Sequence, residues 1–274
     1  MTDVPSGVAR STWNTSDWHQ VEVVEAYAET PTARTIRMRL PAPAGLPPLS
    51  GLPPLPPLVA GQHIDVRLTA PDGYTAVRSY SLASAAPGGI LEITVEELAD
   101  GEVSPYLVRG LDAGDLLEIR GPIGGWFVWR EEEPAPVQLI AGGSGVVPLM
   151  AMIRAHEASS SPAPFRLLYS VRSPEMAYYR AELEELDRSS ARFDLDWVYT
   201  RRAPSGWPQS PGRLDVTRLA ASVLPPGSNA LTFVCGATPF VEFVADALVR
   251  AGGDPARIRT ERYGGAAADD PALT

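Results

Sequence analysis

The feature that most constrains this chain is a change of texture at residues 130–136, where Glu131, Glu132 and Glu133 are followed by Pro134 and Pro136. Upstream, segments alternating between apolar and polar residues at 20–28, 35–40, 63–69, 78–82, 91–96 and 116–120 are divided by Gly, Pro and Asp turns. Alternation at period two marks strands with one face in a core, and strands so closely spaced predict an antiparallel barrel or sandwich. Downstream, strand-like runs at 137–141, 166–170, 195–199, 230–235 and 258–263 are interleaved with helical patterns at 147–158, 175–186 and 240–251. Strand and helix in alternation imply a parallel sheet covered on both faces. The boundary therefore separates a first domain at 17–131 from a second at 135–265. Residues 1–16 read as a loose arm and 266–274 as a flexible tail. The stretch 41–58 holds eight prolines in eighteen residues, which blocks strand pairing and reads as an extended surface insert.

Composition removes several functional classes. The lone Cys235 excludes an internal disulfide, a Cys-rich zinc site and a four-thiolate iron–sulfur cluster, each of which needs several thiols. His19, His63 and His156 are scattered and read as ordinary side chains. A formal charge of −10 argues against nucleic acid as a partner, because Lys and Arg must neutralise phosphates there. No apolar run approaches the ~20 residues a membrane helix needs, and no leader opens the chain, so residence in the cytoplasm without a membrane partner is the expectation.

Gly142, Gly143, Ser144 and Gly145 lie between a strand ending at Ala141 and a helix holding Pro148. Glycines permit a sharp turn and close backbone approach, and the N–H groups opening a helix attract phosphate oxygens, so a dinucleotide pyrophosphate is one occupant and a plain tight connection the other reading. The turn gains meaning beside three further motifs in order. Arg78-Ser79-Tyr80-Ser81 precedes Gly121-Pro122-Ile123-Gly124, then the glycine turn, then Cys235-Gly236 before the last helix. In this order and spacing, from about Trp18 to Gly265, the chain resembles the ferredoxin-NADP reductase family, as a stand-alone FAD-dependent NAD(P)H oxidoreductase similar to oxygenase reductase components but without the four cysteines of their 2Fe-2S domain.

The resemblance implies an α/β plus all-β fold: an N-terminal antiparallel six-stranded flavin-binding β-barrel followed by a parallel-sheet α/β nucleotide-binding domain. It implies FAD held by Arg78 on the phosphates, with Ser79 in the same strand, Tyr80 against the ring system and Ser81 near flavin N5. Gly101, Val103 and Ser104 match the segment that meets the flavin pyrophosphate. Gly143, Ser144, Gly145 and Gly236 would line the nicotinamide nucleotide, with the Cys235 thiol approaching the reacting carbon. Glu261 and Tyr263 match the closing strand, Glu261 as a proton relay or a contact on the acceptor side and Tyr263 as a cover over one flavin face that moves aside for nicotinamide. Taken alone, these residues also fit plain structural roles: Tyr80 and Cys235 in the core, Arg78 solvated, Glu261 and Tyr263 on an edge strand.

Thr200, Arg201 and Arg213 fall where NADPH-using relatives bind the 2′-phosphate, while Asp215 places a carboxylate where those relatives have an aromatic, so NADPH is favoured over NADH by residues of mixed sign. The implied activity is hydride transfer from NAD(P)H to flavin and then single electrons to a separate acceptor protein, a ferredoxin serving an oxygenase or cytochrome P450. An acidic ferredoxin requires a basic dock, for which Arg37, Arg39, Arg67 and Arg262 are candidates. Two rival functions remain: reduction of a small acceptor such as free flavin, a quinone or a ferric chelate, and a regulatory module that binds flavin or nucleotide without turnover.

Overall fold

The computed structural model describes residues 13–39, 58–84 and 89–263. Six strands, β1 (His19–Thr30), β2 (Ala33–Arg39), β3 (His63–Thr69), β4 (Thr75–Ser81), β5 (Ile90–Glu96) and β6 (Leu116–Ile123), lie in the order β4-β3-β6-β1-β2-β5, each pair antiparallel. One bridge, Leu82 to Ile93, brings the end of β4 to β5 and closes the sheet into a barrel. The period-two pattern explains the interior: Val21 and Val23, Ile36 and Met38, Ile64 and Val66 all turn inward and are fully buried. Helix α1 (Ser104–Arg109) adds Leu107 to this core.

The second half forms a parallel sheet from β7 (Val137–Gly142), β8 (Phe165–Val171), β9 (Phe193–Tyr199), β10 (Leu231–Ala237) and β11 (Ile258–Tyr263), ordered β11-β10-β7-β8-β9. Helices α2 (Val146–Glu157) and α3 (Arg180–Ser189) cover the face bearing Leu139, Leu167 and Phe233. Helices α4 (Val216–Ser222) and α5 (Thr238–Arg250) cover the face bearing Ile140, Leu168 and Val234. The chain leaves β7 toward β8 and β9, then returns to β10 on the other side. That reversal opens a crevice at the C-terminal ends of β7 and β10, the place where open α/β sheets hold their ligands.

Three expectations need correction. The helix expected at 175–186 is a 3-10 turn at Pro174–Met176, an extended Ala177, and a helix that starts only at Arg180, because Tyr179 adopts a left-handed conformation (φ 55°) that no α-helix admits. The arm expected at 1–16 is anchored where it is described: Trp13 stacks on His19 at 3.8 Å and its indole N–H donates to the Gly121 carbonyl at 2.6 Å. Helix α4 lay outside the expected elements, although Asp215 caps it by accepting from the Arg218 N–H at 2.8 Å. Residues 41–57 of the proline insert and the tail from residue 264 lie outside the described residues.

Candidate functional site

The glycine turn follows β7 as a 3-10 turn, Gly143–Gly145, leading into α2. Its glycines answer to packing as well as to any ligand. A Cβ on Gly145 would lie 2.2 Å from the Cys235 carbonyl oxygen, and one on Gly142 or Gly236 would strike the Phe240 ring at 2.7 or 2.8 Å. The turn and β10 therefore touch backbone to backbone. Gly143 differs, since it is left-handed (φ 58°) and the atom nearest to a Cβ there would be the Tyr263 hydroxyl at 4.0 Å, which leaves open space above the turn.

Around that space the structure gathers four of the expected residues. Parallel pairing sets Cys235 beside Ala141 on one side and Glu261 on the other, with Ala237 beside Tyr263. The Ser81 hydroxyl, at the end of barrel strand β4, donates to Glu261 Oε1 at 3.0 Å and so joins the two sheets. The Tyr263 hydroxyl donates to the Gly142 carbonyl at 2.5 Å, laying its side chain across the glycine turn. Burial raises the Glu261 carboxyl above its ordinary range, against the opposing hydrogen bond from Ser81. Burial, reinforced by the nearby Glu261, raises the Cys235 thiol well above its usual value, so Cys235 is a neutral thiol and not a thiolate.

A second group forms where β4 meets the loop before α1. Arg78 donates to Glu102 Oε2 at 2.6 Å, and Tyr74 donates to Glu102 Oε1 at 2.6 Å. Glu102 thus holds the guanidinium expected to meet phosphate, a pairing that no local pattern in the sequence announced. Gly101 and Val103 flank it. Ser104 is buried and its hydroxyl accepts from the Leu98 N–H at 3.0 Å, which leaves the hydroxyl proton and the backbone N–H as its donors. Tyr80 is largely enclosed, and burial pushes its phenol up to about 12, keeping the ring neutral. Ser79 is directed elsewhere: its hydroxyl donates to Asp65 at 2.6 Å, and Asp65 also takes Arg120 at 2.6 Å.

The third group lies at the end of β9. Thr200 and Arg201 follow Tyr199 directly, and the Gly212 N–H donates to the Tyr199 carbonyl at 3.0 Å, which returns Arg213 to the same edge. Arg201 lines a cavity of about 420 Å³ together with Arg202 and Trp207. Arg202 is paired with Glu175, whereas Arg201 and Arg213 have no ion pair among the described residues. Asp215 uses its carboxylate as the cap of α4, which gives it a structural role at this edge. Of the expected basic dock, Arg37 pairs with Glu25 at 2.9 Å, Arg39 with Glu22 at 3.2 Å and Arg67 with Glu118 at 2.8 Å, while Arg262 bonds Thr260. Three of those four cations are neutralised where they stand.

Comparison with known proteins gives the same two-part organisation. The oxidoreductase FAD-binding domain family matches residues 54–128, and the oxidoreductase NAD-binding domain family matches residues 139–246. The reductase subunit of glycine betaine monooxygenase from Chromohalobacter salexigens is 30% identical over 265 residues, covering 96% of this chain and 68% of the relative. Ferredoxin–NADP reductase B of Sorangium cellulosum is 32% identical over 212 residues, covering 74% of this chain and 84% of the relative. Among solved structures, the flavohaem-like FAD/NAD-binding domain of nitric oxide dioxygenase from Vibrio cholerae superposes with a TM-score of 0.75 at 25% identity, covering 90% of this chain and 99% of that one.

Proposed function

Since the chain belongs to the ferredoxin-NADP reductase family of flavoprotein oxidoreductases, we propose that it takes a hydride from NADPH and delivers electrons singly to a separate ferredoxin that serves an oxygenase or cytochrome P450. In this reading residues 17–131 are the FAD-binding unit, 135–265 the nucleotide-binding unit, and the cytoplasm, which supplies reduced nicotinamide nucleotides, the setting. The observation that carries it is the Ser81–Glu261 hydrogen bond. It puts a hydroxyl of the Arg-x-Tyr-Ser strand, an acid with a raised pKa and a neutral thiol at one crevice shared by both sheets.

The residues fit FAD. A half-exposed arginine, an enclosed aromatic and a hydroxyl follow one another along β4, and the loop facing them opens a helix. Bound FAD supplies a centre that accepts a hydride and releases electrons one at a time, which a nicotinamide cannot do. Arg78, now paired with Glu102, would hold the FAD phosphates, assisted by the N–H groups from Gly101 through Val103 to Ser104. Tyr80 offers a neutral aromatic face, and Ser79 braces the strand through Asp65. The Ser81 hydroxyl holds a proton toward the crevice, and Glu261 accepts or returns it. The Cys235 thiol orients the nicotinamide by contact, with Gly236 leaving it room. Gly143, Ser144 and Gly145 receive the nucleotide pyrophosphate once Tyr263 withdraws from the turn. Thr200, Arg201 and Arg213 take the 2′-phosphate.

The ion pairing of Arg37, Arg39 and Arg67 favours a second reading, in which the acceptor is a small molecule needing no basic dock. An absorbance spectrum before and after anaerobic NADPH or NADH tests the hydride step; a yellow protein bleached by neither is a binding module. Turnover with ferredoxin and cytochrome c, compared with free flavin, then divides the acceptors. Replacing both Arg201 and Arg213 with Ala is expected to shift the NADPH to NADH preference by about 100-fold, from two charge-assisted contacts of about 1.5 kcal/mol each. Equal losses with both nucleotides would assign those arginines to the common pyrophosphate or to the fold.

A further inference from the structure

Away from the crevice, two residues of the second half hold the barrel through a closed set of contacts. Tyr179 uses both its polar groups: its backbone N–H donates to Glu29 Oε1 at 2.7 Å, and its hydroxyl shares a short hydrogen bond with Thr94. Thr35 completes the circuit, donating to Glu29 Oε2 at 3.0 Å and lying 2.8 Å from the Thr94 hydroxyl. Thr35, Thr94 and Tyr179 are buried. Beside them Arg154 of α2 reaches Glu92 of β5 at 2.5 Å and the Ala83 carbonyl at 3.1 Å, while its other nitrogens take Glu182 of α3 at 2.8 and 2.6 Å. Its guanidinium lies 5.0 Å from the Tyr179 ring centre. A left-handed tyrosine costs about 1 kcal/mol or more, and it persists here because this conformation delivers N–H and hydroxyl to the barrel together.

What this grip holds gives it a role in the reaction. Ala83 stands two residues after Ser81 on the same chain segment, and its N–H donates to the Glu92 carbonyl at 2.7 Å. Helix α2 begins immediately after the glycine turn, so one rigid element has the turn at its start and the barrel in its last turns. We infer that Arg154 and Tyr179 are positioning residues that fix the separation between Ser81 and the glycine turn, and thereby the approach of nicotinamide to flavin. The inference rests on the proposed hydride transfer. It assigns the rate of that step, and not the affinity for either cofactor, to contacts remote from both.

Tyr179→Phe removes only the hydroxyl, and Thr94→Val removes its partner. Each variant is expected to keep its full flavin content, and to bind NADP⁺ within about twofold of the parent by difference titration, while the limiting rate of flavin reduction by NADPH falls about tenfold and its deuterium isotope effect rises. The double variant should lose no more than either single one. Arg154→Lys, which keeps the charge but not the fork, should recover part of the rate lost in Arg154→Met. Amide exchange at residues 81–84 should quicken in Arg154→Met, which loses the bond to the Ala83 carbonyl, and around Thr94 in Tyr179→Phe, with or without flavin. Variants that lower the melting temperature but reduce flavin at the parental rate would overturn the inference and leave a merely structural seam. Should Arg154→Met fail to fold, Tyr179→Phe still decides. Failure of the parent enzyme to be bleached by either nucleotide would refute the hydride reading itself, and amide exchange alone would then report on the grip.

Discussion

Arg78 and Arg154 show how differently one side chain is treated at the barrel rim and at the seam between the two sheets. Arg78, at the rim, is 51% exposed, with Glu102 as its one ion-pair partner and its own neighbour's carbonyl as its other hydrogen-bond acceptor among the described residues. Arg154, at the seam, is 22% exposed and shared among two carboxylates, a carbonyl and an aromatic ring. An exposed pair exchanges readily with a competing anion, because water already screens most of its attraction. A partly buried cation with all three nitrogens engaged has no such freedom. The molecule keeps its ligand-facing charge replaceable and its internal charge fixed.

The comparison breaks most visibly if the seam loses its cation. Arg154→Met takes the nearer of two cations from Glu92, leaving Arg37 at 3.6 Å, and also frees Glu182, and is expected to lower stability by about 3 kcal/mol in urea unfolding. A loss near that of a surface pair would put the seam in the same class as the rim. Arg78→Ala should yield largely flavin-free protein, with affinity down about 10- to 100-fold by fluorescence titration, while the urea midpoint of the flavin-free variant stays close to that of the flavin-free parent. Glu102→Gln should move flavin affinity the other way by a smaller factor, since it removes the competitor for Arg78. Parental flavin content in Arg78→Ala would remove Arg78 from the site.

Smaller effects sharpen the contrast inside the seam's own helix. His156, two residues beyond Arg154, is wholly buried, stacks on Phe165 at 4.0 Å and meets Glu157 Oε1 through Nδ1 at 3.1 Å. Burial pulls its pKa below the ordinary 6.5. The folded value is therefore the lower one, so the stability from the neutral ring is complete above about pH 6.5 and is lost as pH falls through that value toward the folded pKa. His156→Phe should flatten this part of the curve of urea midpoint against pH; an unchanged slope would place the sensitivity elsewhere. The smallest effect belongs to Tyr178→Phe. The Tyr178 hydroxyl is buried without a partner among the described residues, so its removal should change stability by less than about 0.5 kcal/mol, in the stabilising direction.

The strands and the glycine turn were legible in the sequence because each is a local matter. Ile36 and Met38 alternate with Arg37 and Arg39 whatever lies beyond, and Gly143 must accept its left-handed turn wherever the chain goes next. The resemblance set Ser81 and Glu261 each beside the flavin without pairing them, and their contact, between partners 180 positions apart, was not legible. What escaped was decided between distant segments. Arg67 meets Glu118 across 51 positions and so ceases to be a free cation, and Glu102 meets Arg78 across 24. The late start of α3 has the same origin: the pattern from Glu175 onward reads as helix, and the contacts of Tyr179 with the barrel override it. Asp215 was the exception, a local cap signal ahead of an unexpected helix.

The barrel is fastened by one rung, Leu82 to Ile93, and beside that rung Ala83 is held by a residue of the other half. The two halves are therefore not interchangeable modules. A barrel transplanted onto a different parallel sheet would carry Glu29, Glu92 and Thr94 into an interface lacking their partners, and its own closure would lose outside support. A chimaera of this protein would have to exchange Arg154 and Tyr179 along with the barrel, as a lock travels with its key.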